Sequence, residues 1–215
     1  MEADALERLT GLFPPWSEEL GIDLETAGGR FRWFVASLLF GKRISSSIAA
    51  KTFLGLDAAR ILESPDTILE TGWQGLVDLL DAGGYVRYDF STATKLLNIM
   101  DSLKREYGDT EGLYLRASDE ADLERRLLEF KGIGPTTAGI FLRELRGTWR
   151  VEPQVCEAAR EATERLGIAL SRLKGKSLAR VETALVRLYH EFCSKAKCAA
   201  CPLGDCCALG RQARP

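Results

Sequence analysis

Five of the six cysteines, Cys193, Cys198, Cys201, Cys206 and Cys207, crowd together near the C-terminus, and Cys156 stands apart. The spacing Cys193-x4-Cys198-x2-Cys201-x5-Cys207 puts four thiolates on one short loop. That donor set suits a [4Fe-4S] cluster, and structural zinc is the alternative. Cys206 is the alternative fourth ligand, and His190, one helical turn before Cys193, is a further nitrogen donor for the zinc case. The spare cysteine and Cys156 read as small buried hydrophobes. Disulfides are not expected, because Met1-Glu2-Ala3-Asp4 is acidic where a secretory leader is basic, and a cytoplasmic chain keeps its thiols reduced.

A second constellation occupies residues 127–142, LLEFKGIGPTTAGIFL. Apolar residues at helical spacing flank Gly132-Ile133-Gly134, and Pro135 stands at a first helical position, where its missing N–H is no loss. The glycines admit left-handed dihedrals and let backbone approach a phosphate closely. The amides at the head of the second helix face outward at the favourable end of its dipole. Such a turn, with Lys131, Gly132, Ile133, Gly134, Thr136 and Thr137 along it, anchors a nucleic-acid backbone without reading sequence. Ile133 plugs the turn into the core, and Ala138 lets the two helices pack closely. The whole pattern is that of a helix-hairpin-helix.

The elements that position these residues read as all-α, since apolar residues recur every three or four positions and no segment alternates with period two. About ten helices are expected on this periodicity. One covers residues 5–12 and is broken by Pro14-Pro15. Another, residues 31–39, is apolar nearly all round and therefore central, and it ends at Gly41. Ser45 to Ser47 cap the next. Three short helices are expected at 58–62, 68–71 and 74–82, then a longer one at 92–107 capped by Ser91. One begins at Ser118, one runs from Pro135 to about residue 145, and two lie near 154–166 and 178–192.

A net charge of −2 argues against an overall basic nucleic-acid binder, but residues 139–215 hold 14 Lys+Arg against 8 Asp+Glu, so the last third is locally positive. With 46% hydrophobic residues the chain buries a sizeable core, and no apolar run approaches the roughly 18 to 20 residues of a membrane span. A cytoplasmic protein acting on nucleic acid and not on membrane is the expectation.

With the hairpin and the cysteines in view, the chain resembles the endonuclease III and adenine-glycosylase branch of the helix-hairpin-helix DNA glycosylases. The resemblance implies a two-lobed fold: a six-helix barrel over residues 26–137, and an iron–sulfur lobe made of 1–25 with 138–215. It implies a monomer binding damaged, mismatched or abasic duplex DNA in a cleft between the lobes and flipping the target base. The family's first two cluster cysteines are spaced more widely than Cys193 and Cys198, while the later spacings agree. Where bifunctional members carry a Schiff-base lysine, this chain has Thr136, so the resemblance implies a monofunctional glycosylase. The family's catalytic aspartate, in a Val-Asp-x-x-Val segment, corresponds to Glu152 in Val151-Glu152-Pro153-Gln154-Val155, and Asp89 is the alternative carboxylate. Lys42, with Arg43 as a second candidate, takes the place of the glutamine that fills the gap left by the flipped base. Tyr85 matches a tyrosine near the base pocket, and Lys195 and Lys197 in the cysteine loop are candidate phosphate contacts.

Overall fold

The computed structural model describes residues 2–213. Among them are twelve α-helices and no strand: α1 (Glu2–Leu12), α2 (Trp16–Glu19), α3 (Ala27–Phe40), α4 (Ser46–Ala58), α5 (Pro65–Gly83), α6 (Asp89–Tyr107), α7 (Thr110–Arg116), α8 (Glu120–Glu129), α9 (Pro135–Glu144), α10 (Glu157–Leu166), α11 (Gly175–Glu191) and α12 (Ala208–Ala213). No described helix is long and apolar enough to cross a membrane.

The chain divides into two compact units, one of residues 20–141 and one of residues 1–19 with 142–215. In the first, α3 is the buried centre, with Trp33, Phe34, Val35, Leu38 and Leu39 almost wholly removed from solvent. The Trp33 indole N–H donates to the Phe141 carbonyl at 3.1 Å, and the Phe34 and Phe141 rings meet edge to face at 5.2 Å. A buried indole with a partner for its N–H contributes its full apolar area without a desolvation penalty. In the second unit, Leu9 of α1 and Phe13 just after it join Ala159, Ala162, Ala184, Leu185 and Leu188 of α10 and α11 in a separate core.

Local chemistry explains most boundaries. Thr26 and Ser45 cap α3 and α4 through their side-chain oxygens, and Ser64 with Thr67 forms a reciprocal box before Pro65. The segments expected at 68–71 and 74–82 run as α5, interrupted at Gly72, whose φ of 69° only glycine adopts without strain. Residues 58–62 are not a helix: α4 ends at Ala58 and a turn follows, with Arg60 at φ 60°. The expected Ser91 cap is also displaced, because α6 starts at Asp89 with Tyr88 at its cap position. Helices α2, α7 and α12 are additional to the sequence expectation. The α2 start is held by Glu144, far away in sequence, whose carboxylate accepts from Trp16 N at 3.1 Å and Ser17 N at 3.0 Å.

Candidate functional site

The hairpin turn joins α8 to α9 inside the first unit. Phe130 and Ile133 are buried and anchor it, with Ile133 N donating to Phe130 O at 2.9 Å. Gly132 has φ +103°, and a Cβ there would stand 3.1 Å from both Cγ and Cδ of Lys95, so two constraints demand glycine. Gly134 differs. Its φ is not positive, and a Cβ would meet nothing within 4 Å. The fold does not require glycine there, whereas a ligand coming up to the backbone would. The amides of Gly134, Thr136 and Thr137 have no acceptor among the described residues, so the head of α9 presents donors at the positive end of its dipole.

Lys131, Gly132 and Thr136 are exposed on this turn. Thr137 is not: it is buried, and a Cβ on Gly41 would overlap its hydroxyl, so its side chain packs on the end of α3 instead of facing outward. Tyr85 departs from expectation in the same way. It is fully buried, its hydroxyl donates to the Leu39 carbonyl at 2.6 Å, and burial pushes its phenol well above the ordinary range. Tyr85 therefore supports the α3 terminus that leads into Lys42, and offers no face to a base. Lys42 lies 5.8 Å from the Tyr88 ring, Arg87 lies 5.5 Å from the same ring, and Arg43 is exposed. Asp89, half-buried at the start of α6, accepts from Phe90 N at 2.7 Å, which suits an acid in a first turn.

Lys95 was missed by sequence reasoning. It is 8% exposed, and desolvation, then Lys42, push its ammonium down to about 8. The signal was present in α6, where Lys95 sits three residues after buried Thr92 and four before buried Ile99, an inward position on an apolar stripe.

In the second unit, Glu152 follows α9 on an extended stretch. Its Oε1 accepts from Gly175 N, at the head of α11, at 3.2 Å, and its Oε2 lies 3.6 Å from Arg146 Nε. The side chain remains 59% exposed. Arg146 itself is fully buried, paired with Glu182 and donating to the Pro153 carbonyl, so this loop is pinned from beneath.

Cys193, Cys198, Cys201 and Cys207 line one cavity with Leu166, Leu188 and other apolar groups. Cys206 lies elsewhere: its sulfur is 3.5 Å from the Arg8 guanidinium, which also grips Asp205 and the Pro202 carbonyl. His190 does not line the cavity. Burial, and then the neighbouring cysteine sulfurs, push the Cys193 and Cys201 thiols up, opposed by Arg165 at Cys193. A Cβ on Gly210 would overlap the Gly204 backbone, so α12 rests directly on the cysteine loop. Among the described residues, no three His, Cys, Asp or Glu side chains form a group arranged to hold a metal ion. Lys195 and Lys197 are exposed on this loop.

No family model matches the chain. No curated protein matches it either. Solved structures do. The 3-methyladenine DNA glycosylase MagIII of H. pylori, bound to 1,N6-ethenoadenine, is similar with a TM-score of 0.54 at 16% identity, over 89% of this chain and 98% of that one. A trapped endonuclease III–DNA covalent intermediate is similar with a TM-score of 0.52 at 12% identity, over 83% of this chain and 84% of that one. The chain has the all-α fold of the helix-hairpin-helix DNA glycosylases.

Proposed function

We propose that the protein is a DNA N-glycosylase that holds duplex backbone on the 131–137 turn, extrudes a damaged or mismatched base and hydrolyses its N-glycosidic bond. The observation that carries this reading is the row of unpaired amides at Gly134, Thr136 and Thr137, beside a glycine that the fold does not need. Phosphate oxygens supply what such donors lack, and the contact fixes register without reading bases. The fold shared with MagIII and endonuclease III supports DNA as the partner.

Glu152 is the carboxylate assigned to the chemistry. Breaking the glycosidic bond builds positive charge on the sugar, and an anion nearby stabilises it or takes a proton from attacking water. The Gly175 amide and the Arg146 side chain orient this carboxylate while leaving much of it open. Threonine at 136 offers no amine, so base release itself is hydrolytic. A second reading, a protein that binds lesions without cutting, is favoured by the engagement of Glu152 as a helix-head acid.

Duplexes carrying uracil, a mismatched thymine or an alkylated base, followed by alkali, separate the two readings. Alkali-dependent strand breaks support base release, and retention of the duplex without breaks supports binding alone. Glu152→Gln should lower base release by at least a hundredfold while leaving duplex retention intact. Unchanged release in that variant transfers the role to Asp89.

A [4Fe-4S] cluster is the proposed cofactor, held by Cys193, Cys198, Cys201 and Cys207. What supports this reading is that the four thiols line one cavity, the ligand number that such a cluster takes from cysteine. When bound, the cluster supplies a four-point covalent brace. The residues around it then hold α12 and the Arg8 contact in place, and Lys195 and Lys197 stand on its outer loop as candidate phosphate contacts.

A further inference from the structure

Buried ammonium groups without a counter-ion are rare, because leaving water is costly and an apolar side chain of the same shape fills the space at no such cost. Lys95 is such a group. It is 8% exposed on α6. Its alkyl chain lies along the first hairpin glycine, with Cγ and Cδ 3.1 Å and Cε 3.3 Å from where a Gly132 Cβ would be. No acidic side chain pairs with it, and the charged group facing it is another cation, Lys42. Its Nζ is not among the sealed, unpartnered polar atoms, so the exposure that remains includes the amine tip. One turn earlier on the same face, the hydroxyl of Thr92 is buried without a hydrogen-bond partner. An amine kept dry along its stem, open at its tip and next to the proposed phosphate-binding turn is placed for chemistry more than for packing.

We infer that Lys95 is an amine nucleophile toward aldehydic abasic sugars held on the hairpin, giving the protein a Schiff-base activity that Thr136 does not supply. The inference rests on the reading of the 131–137 turn as a DNA-binding element. The neutral amine adds to the C1′ aldehyde of the ring-opened sugar, forming the N–C1′ bond, and the carbinolamine loses water to leave an imine. Water then takes a C2′ proton, the electron pair forms the C2′–C3′ double bond, and the C3′–O bond breaks with the phosphate leaving as its anion. Hydrolysis of the imine returns the lysine. No oxidant or reductant is consumed. Because burial and Lys42 push the ammonium down to about 8, a sizeable neutral fraction exists near physiological pH.

The test uses the full chain and a duplex with one preformed abasic site, so that base release is not needed. Borohydride reduces an imine to a stable secondary amine, and peptide mapping locates it. Wild-type protein should give a covalent adduct on the peptide containing Lys95. Lys95→Met, which keeps the buried volume, should lower the adduct at least tenfold, while Lys51→Met, at an exposed lysine outside the turn, retains it. Circular dichroism and retention of a duplex carrying a tetrahydrofuran abasic analogue are measured on every variant. A wild-type protein that retains the analogue duplex but gives no adduct, or an adduct mapped to another amine, overturns the Lys95 assignment and leaves the DNA-binding reading standing. Failure to retain the analogue duplex sinks both.

Discussion

Arg146 and Glu182 form an ion pair buried from solvent on both sides, and the same Glu182 carboxylate accepts from Cys156 N at 3.0 Å. The pair thus ties the stretch between α9 and α10 onto α11. Its guanidinium also reaches the Pro153 carbonyl, one residue past Glu152. The position of the proposed catalytic carboxylate therefore depends on a charge pair beneath it.

Removing one member of that pair strands the other in an apolar setting. Glu182→Gln or Arg146→Met should destabilise the protein by about 3 to 5 kcal/mol, as for other broken buried pairs. Chemical denaturation measures this. A loss below about 1 kcal/mol would show that water reaches the pair.

Lys95 gives a pH signature. Its ammonium is pushed down to about 8 from the ordinary 10.5, so between those values the unfolded chain binds more protons than the folded one and stability rises with pH. Below pH 8 the full cost of burying a charge is present. Lys95→Met should be more stable than wild type at pH 7 by about 1 to 3 kcal/mol, and the difference should shrink as pH climbs through the window from 8 to 10.5. Denaturant midpoints at several pH values check the sign, and a gap that does not narrow contradicts it.

The two hairpin glycines should behave differently. Gly132→Ala places a Cβ at φ +103° and 3.1 Å from Lys95, and should cost about 1 to 2 kcal/mol of stability. Gly134→Ala should leave stability within about 0.5 kcal/mol, since its Cβ meets open space, and yet weaken duplex retention on the order of tenfold. Equal losses of stability in both variants would mean that Gly134 has a packing role.

For the cysteines, aerobic colour is a simple readout. Wild type and Cys206→Ser should both show the broad visible absorption of an iron–sulfur centre, and Cys207→Ser should lose most of it, because Cys207 lines the cavity while Cys206 sits against Arg8. Iron and sulfide analysis completes the comparison. Zinc in place of iron, after purification without air, would reverse the cofactor assignment.

By itself the amino-acid sequence determined the helical class, the hairpin, the break at Gly41 and the four-cysteine spacing. Each of these is local: a period of three or four, a cap, a proline at a first turn, a glycine between two apolar helices. Spacing favours Cys207 over Cys206 as a ligand, and the fold puts Cys207 at the cavity and Cys206 against Arg8. Only tertiary structure decided that Thr137 faces Gly41, that Tyr85 spends its hydroxyl on Leu39, that Glu144 caps α2, and that Lys95 lies buried along Gly132. Burial and pairing are properties of what arrives from elsewhere in the chain, and a side chain's type states what it is able to do without stating which neighbours will let it.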